Sequence, residues 1–217
     1  MWNTSQESVT YKRVKRGIGL DDCYFFAMKL IPRVLLSLAL VVIPVVHVSA
    51  APVYVFPISD CSVKYTKYHH DYPATDIQAK KGCTFVAPIN GVVEDVNLKD
   101  LWNGKTNLGQ DRGGLSVSII GDDGVRYYGS HLSKVEPGIV AGLRVVAGQK
   151  LGEVGATGSA RGTAPHLHFG ISYPTVAGDW KIRRGVIYPW KYLDAWKIGK
   201  DLSPAPAISA AKAKATK

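Results

Sequence analysis

The chain has 217 residues, with 27 lysines and arginines against 17 aspartates and glutamates, so its formal net charge is +10. Hydrophobic residues make up 46% of the chain and charged residues 20%, which excludes a disordered protein, a collagen-like repeat and a polytopic membrane protein. The 22 glycines favour many tight turns, as in an all-β domain. The basic charge leaves nucleic acid, an anionic membrane and an anionic cell wall as possible partners.

The first 50 residues are predicted to be an N-terminal extension and a signal peptide. Residues 34–46 form an apolar run preceded by Lys29 and Arg33 and followed by small residues up to Ala50, the pattern of a secretory signal. A membrane-spanning helix needs about 20 apolar residues, so this run is short for an anchor. We expect cleavage after Ala50 and a location in the cell envelope or outside the cell. Two alternatives stay open: an uncleaved signal-anchor, and a true start at Met28.

Residues 51–198 are predicted to form the folded domain, and residues 199–217 a disordered tail rich in alanine, lysine and proline. Without residues 1–50 the chain keeps 21 basic and 14 acidic residues, a net charge of +7. An exported protein without an aromatic-basic recognition motif or zinc-finger spacing is not expected to bind nucleic acid. We also expect a monomer with no stable membrane partner once the signal is removed.

Two cysteines remain in the predicted domain, Cys61 and Cys83. An even pair in an oxidising compartment favours a disulfide, and the alternative is two separate buried thiols. The region around them has short apolar stretches separated by turn residues, with Asn90-Gly91 and Asp123-Gly124 as hairpin signals. We therefore predict an antiparallel all-β domain, with one possible helical turn at residues 190–196.

The histidines suggest a metal site. On a strand, residues i and i+2 share a face, so His166 and His168 would point one way and the apolar residues between and after them the other. A second group, His69, His70 and Asp76, precedes another apolar stretch. Two histidines and one carboxylate with an open fourth position form a catalytic zinc shell. The alternative for the strand pair is a polar outer face, and His131, at a predicted strand end, is by itself a weak signal.

These residues resemble the lysostaphin-type (LytM-like) zinc metalloendopeptidases, which cut peptidoglycan cross-links. The most specific pieces are Gly155-Ala156-Thr157-Gly158-Ser159 and Pro165-His166-Leu167-His168-Phe169. The stretch from Gly82 to Val93 and the glycine-punctuated run at residues 138–155 are also similar, so the resemblance covers roughly residues 63–173. It implies antiparallel sheets of the duplicated hybrid motif type, with an open groove that carries the zinc site.

The resemblance also implies roles for the histidines. Asp76, His168 and a histidine before Asp76 would bind Zn²⁺, and His166 would act as general base on a zinc-bound water. His131 would orient that water or stabilise the oxyanion. The family usually spaces its first pair as His-x3-Asp, a position held here by Tyr72. The predicted third ligand is therefore His70, with His69 as the alternative.

The predicted function is a secreted zinc endopeptidase whose substrate, and expected partner, is peptidoglycan. Two other readings remain. One is a non-catalytic wall-binding or hydrolase-activating module on the same fold, which would lack ligands. The other is a biotinyl- or lipoyl-type carrier, for which Lys99 is a poor attachment site.

Overall fold

The computed structural model of the chain describes residues 53–216. The predicted signal peptide, its cleavage at Ala50 and the alternative start at Met28 lie outside the described residues. Within residues 53–216, no helix is long and apolar enough to cross a membrane.

Ten strands form two antiparallel sheets. The strands are β1 (Lys64–Tyr65), β2 (Thr75–Gln78), β3 (Thr84–Val86), β4 (Gly91–Asn97), β5 (Leu115–Gly121), β6 (Arg126–Leu132), β7 (Lys134–Val135), β8 (Arg144–Val145), β9 (Lys150–Glu153) and β10 (His166–Ser172). The larger sheet has the order β1-β2-β10-β6-β5-β4-β8 and the smaller β3-β9-β7. Every strand pair is antiparallel, so the predicted antiparallel all-β class is confirmed.

The core lies between the two sheets. One face of β10 contributes Leu167 and Phe169, which are fully buried, and β3 contributes Phe85. A Cβ atom at Gly129 of β6 would lie 2.4 Å from the Phe85 ring, so only glycine allows this ring to pack against the strand. The central strands of the larger sheet are thereby held against the smaller sheet.

The two predicted hairpins have different outcomes. Asp123-Gly124 joins the paired strands β5 and β6, and Gly124 has the positive φ (75°) that a tight turn requires. Asn90-Gly91 is not a hairpin, because the strands on either side of it, β3 and β4, belong to different sheets. Gly91 instead allows close contact between backbones, since a Cβ there would lie 2.3 Å from the Ile120 carbonyl oxygen.

The predicted disulfide is confirmed. Cys61 and Cys83 are bonded, with a sequence separation of 22 residues. Asp60 reinforces the same junction, because its carboxylate accepts hydrogen bonds from the amide and hydroxyl groups of Thr84 at 2.8 and 2.6 Å. Together these contacts hold the segment before β1 against the start of β3.

The described residues contain three α-helices: α1 (Trp180–Arg183), α2 (Trp190–Lys197) and α3 (Ala205–Ala215). Helix α2 contains the predicted helical turn. Helix α3 lies in the segment predicted to be disordered, so that prediction is wrong for residues 205–215. Alanine is the best helix former, and the buried side chain of Ile208 anchors the helix to the domain.

The link before α3 is also held in place. The amide and hydroxyl groups of Tyr54 donate to the Asp201 carboxylate at 2.9 Å and to the Ser203 hydroxyl at 3.0 Å. The Trp196 indole donates to the Leu202 carbonyl at 3.0 Å. The folded part of the chain therefore extends beyond the predicted boundary at residue 198.

Candidate active site

A cavity of about 490 Å³ collects most of the predicted site residues. Strands β2, β6 and β10, the loops before β2 and β5, and helix α1 line it. Its lining includes all five histidines of the described residues: His69, His70, His131, His166 and His168.

The pairing of β2 with β10 brings Asp76 and His168 together. The two residues are direct cross-strand partners, and Asp76 Oδ1 lies 2.9 Å from His168 Nδ1. The side chains of β10 alternate as the sequence predicts, with His166 and His168 facing the cavity and Leu167 and Phe169 in the core. Burial acts to raise the pKa of Asp76, but the hydrogen bond and charge of His168 outweigh it and hold the pKa at about 2.

His168 is oriented from its other side. Its Nε2 lies 3.1 Å from the Arg184 carbonyl oxygen, which can only accept a hydrogen bond, so Nε2 carries a proton. In the neutral ring, Nδ1 then presents a lone pair to an Asp76 oxygen that is also an acceptor. Two acceptors at 2.9 Å need a proton or a cation between them.

His69 completes this group, and His70 does not. His69 Nε2 lies 3.7 Å from Asp76 Oδ2, and the ligand atoms of His69, Asp76 and His168 all lie within 4.8 Å of one another. The His70 side chain is 71% exposed and contacts Asp71 at 3.3 Å. His69, the alternative third ligand, therefore lies with Asp76 and His168, whereas His70, the preferred one, does not.

The donor set fits a zinc ion. Two imidazoles and a carboxylate are the ligands of many catalytic zinc sites, and a carbonyl acceptor behind a ligating histidine is the usual support. Burial, followed by the charge of His168, lowers the pKa of His69 to about 4, so its ring is neutral at pH 7. The Asp71 amide donates to His69 Nδ1 over a long 3.3 Å. If His69 Nε2 bound a metal, the proton of the ring would move to Nδ1, and the only hydrogen bond lost would be this long one from the Asp71 amide.

His131 and His166 form a second pair beside this group, with ring centroids 5.0 Å apart. Nδ1 of His166 lies 2.9 Å from the Ala164 carbonyl, and Nδ1 of His131 lies 2.8 Å from the Thr157 carbonyl. Each Nδ1 therefore carries the proton, and each neutral ring keeps its lone pair on Nε2. Burial, with the charges of His168 and His166, lowers the pKa of His131 to about 3.

An irregular backbone conformation brings His131 to this face. Tyr128 and Ser130 of β6 line the cavity, so regular alternation would direct His131 into the core. The backbone of His131 has φ = 64°, and the next residue, Leu132, is fully buried in the core. This left-handed residue thus shifts the alternation by one position. The backbone amide of His131 donates a hydrogen bond to the Gly113 carbonyl at 2.8 Å.

Several residues of the cavity lining were not predicted from the sequence. Arg112 comes from the loop before β5, and Arg184 follows α1. Tyr72, at the position of the usual first histidine, stacks under the Arg184 guanidinium at 3.8 Å. Burial raises the pKa of Tyr72 to about 12, although the charge of Arg184 acts against it. No motif signals the two arginines, because each lies on a separate irregular segment.

Residues 70–180 match the model of peptidase family M23. The chain belongs to this family. The M23 match includes Asp76, His131, His166 and His168, and it begins at His70, one residue after His69. The first residue of the matched region says nothing about side-chain positions. The choice between His69 and His70 therefore rests on the distances given above.

This M23 peptidase is similar to several known proteins. The chain is 31% identical over 131 residues to the L-Ala–D-Glu endopeptidase of Bacillus subtilis (strain 168), an alignment that covers 58% of the chain and 35% of that protein. The chain thus spans about a third of the length of this relative. Lysostaphin of Staphylococcus simulans has a similar structure, with a TM-score of 0.50, 23% identity, and coverage of 72% of this chain and 59% of that one. This likeness shows a shared fold.

A zinc containing peptidase from Vibrio cholerae also matches, with a TM-score of 0.42, 23% identity, and coverage of 55% of this chain and 36% of that one.

Proposed function

We propose that the chain is an exported, zinc-dependent endopeptidase that hydrolyses peptide bonds in peptidoglycan. The observation that carries the proposal is the arrangement of two histidine pairs in one cavity. His69 and His168 lie with Asp76 in a metal-binding geometry, and His131 and His166 present Nε2 lone pairs beside it. A peptide hydrolase needs both parts: a site that activates a carbonyl and water, and a base that takes the proton of the water.

His69, Asp76 and His168 would hold the zinc ion. When bound, zinc would lower the pKa of a water molecule and polarise the substrate carbonyl. The Arg184 carbonyl keeps the His168 ring in the tautomer whose Nδ1 faces Asp76. The chain itself therefore sets the direction of this ligand before any metal binds.

His166 is the general base of the proposed reaction. Its Nε2 would accept a proton from the attacking water as the new bond to the carbonyl carbon forms. The same nitrogen would then deliver the proton to the departing amine as the C–N bond breaks. The hydrogen bond from Nδ1 to the Ala164 carbonyl would keep the ring from rotating during this transfer, so that Nε2 stays the reacting nitrogen.

His131 would orient the attacking water rather than stabilise an oxyanion. Its Nδ1 proton is engaged by the Thr157 carbonyl, so Nε2 can only accept a hydrogen bond in the neutral ring. Donation to an oxyanion would need the imidazolium, which burial disfavours because it lowers the pKa to about 3. Of the two roles implied by the family resemblance, the accepting role fits these contacts.

Three features support peptidoglycan as substrate and the cell envelope as location. The related Bacillus subtilis protein is an L-Ala–D-Glu endopeptidase. The apolar run at residues 34–46 has the pattern of an export signal, and the disulfide between Cys61 and Cys83 suits an oxidising compartment. The net charge of +7 on residues 51–217 suits an anionic wall.

The test compares wild-type protein with His166→Ala on purified cell wall, with soluble peptide fragments identified by mass. We expect wild-type protein to release peptide fragments and His166→Ala to release them at least about 100-fold more slowly, since general base catalysis contributes about 10²–10⁴-fold. Equal rates would refute the role of His166. Wall binding without release by the wild-type protein would instead favour a non-catalytic binding module.

A further inference from the structure

Two arginines, Arg112 and Arg184, line the cavity together with the histidines. We call them the arginine pair. Arg184 stacks on the Tyr72 ring at 3.8 Å. Two cations thus lie next to the histidine groups.

The arginine pair is not neutralised by the protein. Among the ion pairs of residues 53–216, neither Arg112 nor Arg184 has a carboxylate partner, and the side chain of neither makes a hydrogen bond. Arg184 Nε is buried without any partner. Arg183, on the same wall, is different because it donates to Asp95 at 2.5 Å. Buried guanidinium nitrogens are normally paired, so an unpaired one in an arginine that lines a cavity points to a ligand.

Aromatic packing holds the Arg184 side chain in place in advance, and hydrogen bonds fix the backbone of Arg112. The Arg184 guanidinium lies 3.8 Å from the centroid of the Tyr72 ring and 5.1 Å from that of the Trp180 ring. Packing of a guanidinium on an aromatic ring uses its face and does not use its N–H groups. The Arg112 carbonyl accepts from the Ser159 amide at 2.8 Å and its hydroxyl at 3.2 Å, which fixes the backbone of this loop.

Trp180 also packs directly on the loop that carries Arg112. A Cβ atom at Gly109 would lie 2.2 Å from the Trp180 ring, so the ring rests on the glycine backbone. Helix α1 and the loop before β5 therefore support each other, and each brings one member of the arginine pair. A pre-arranged side chain such as that of Arg184 loses little conformational entropy when a ligand binds.

We propose that the arginine pair is a carboxylate subsite that recognises an acidic residue of the substrate next to the bond that is cut. This inference rests on the proposed function, because it names the chemistry of the peptide in that same cavity. A planar carboxylate matches the N–H edge of a guanidinium and can accept two parallel hydrogen bonds. The Arg184 carbonyl accepts a hydrogen bond from His168, so the arginine that would bind the carboxylate is in direct contact with a proposed metal ligand.

The experiment measures binding first, so that it does not depend on turnover. Two synthetic stem-type peptides are compared, one with a γ-linked D-glutamate that has a free α-carboxylate, the other with the corresponding carboxamide. Calorimetry on His166→Ala protein should give about 10- to 100-fold tighter binding of the carboxylate peptide, the range of one or two charge-assisted hydrogen bonds. Arg112→Gln and Arg184→Gln, each added to this background, should reduce the preference to about threefold or less.

Arg144→Gln is the matched control. Arg144 lies on β8, is 57% exposed, pairs with Asp122 and is not part of the cavity lining, so its replacement removes the same charge outside the cavity. It should keep the full preference. Equal binding of the two peptides, or an unchanged preference in both Arg→Gln variants while each keeps the parent melting temperature, would overturn the subsite. Release of peptide fragments from purified cell wall by wild-type protein tests the proposed function separately, because hydrolysis can occur whether or not the arginine pair contributes to binding.

Discussion

The choice between His69 and His70 gives the sharpest test of the site. In His69→Ala protein the metal-binding group loses one of its three side chains. Changing a residue that merely supports a metal ligand costs about 10–100-fold in affinity, so loss of a ligand itself should cost more than about 100-fold. In His70→Ala protein the change removes a solvent-exposed contact with Asp71. Exposed pairs contribute about 0–1 kcal/mol, which is about fivefold at most.

Zinc affinity measured by competition with a chromophoric chelator distinguishes the two variants. We expect His70→Ala to hold one zinc per chain with nearly wild-type affinity and His69→Ala to lose the metal under the same conditions. The reverse order, with His70→Ala losing zinc and His69→Ala retaining it, would refute the reasoning. A circular dichroism spectrum of each variant without metal shows whether the fold is intact, because neither side chain belongs to the hydrophobic core.

Three further predictions concern stability. Replacing Cys61 and Cys83 together by serine should lower the free energy of unfolding by about 3 kcal/mol, from the loop entropy of a 22-residue separation, measured by urea denaturation. Ile208→Ala should cost about 2 kcal/mol in the same assay, because its side chain is buried where α3 meets the domain. Tyr127 donates to Asp123 at 2.6 Å, and burial raises its pKa well above its ordinary value. The neutral Tyr127 hydroxyl contributes to stability below about pH 10, the pKa of tyrosine in the unfolded chain, and this contribution is lost at higher pH. Tyr127→Phe should therefore make the fall in stability at alkaline pH less steep.

Controls accompany these three tests. Ile198→Ala removes an exposed isoleucine of the same region and should change stability by less than about 0.5 kcal/mol. An equal loss in both isoleucine variants would argue against a docked α3. A double serine variant as stable as the parent would contradict the estimate for the disulfide. An identical alkaline profile with and without the Tyr127 hydroxyl would show that other groups dominate above pH 10.

Local patterns in the sequence predict those parts of the structure that depend on neighbouring residues. The alternation of His166 and His168 with Leu167 and Phe169 follows from the two-residue period of a strand. The Asp123-Gly124 turn follows from the left-handed conformation that glycine accepts. The placement of Asp76 opposite His168 does not follow in this way, because it depends on pairing of segments that are 92 residues apart.

The wrong or missing predictions also have physical reasons. Adjacent histidines on an irregular loop carry no periodic signal, so the sequence could not show that His69 turns inward and His70 outward. The arginine pair comes from two loops that only the packing of Trp180 on Gly109 brings together. The C-terminal segment has the composition of a disordered tail, and its order depends on contacts with distant residues such as Tyr54.

The cross-strand position of Asp76 and His168 links metal uptake to folding. A slip of one residue in this strand pair would bring a core side chain such as Leu167 to the cavity face and remove the ligand. The proposed ligand group therefore exists only after the two ends of a long chain segment have paired in a single register. Partly folded chains should bind zinc poorly, and the appearance of tight zinc binding during refolding would report that the centre of the larger sheet has closed.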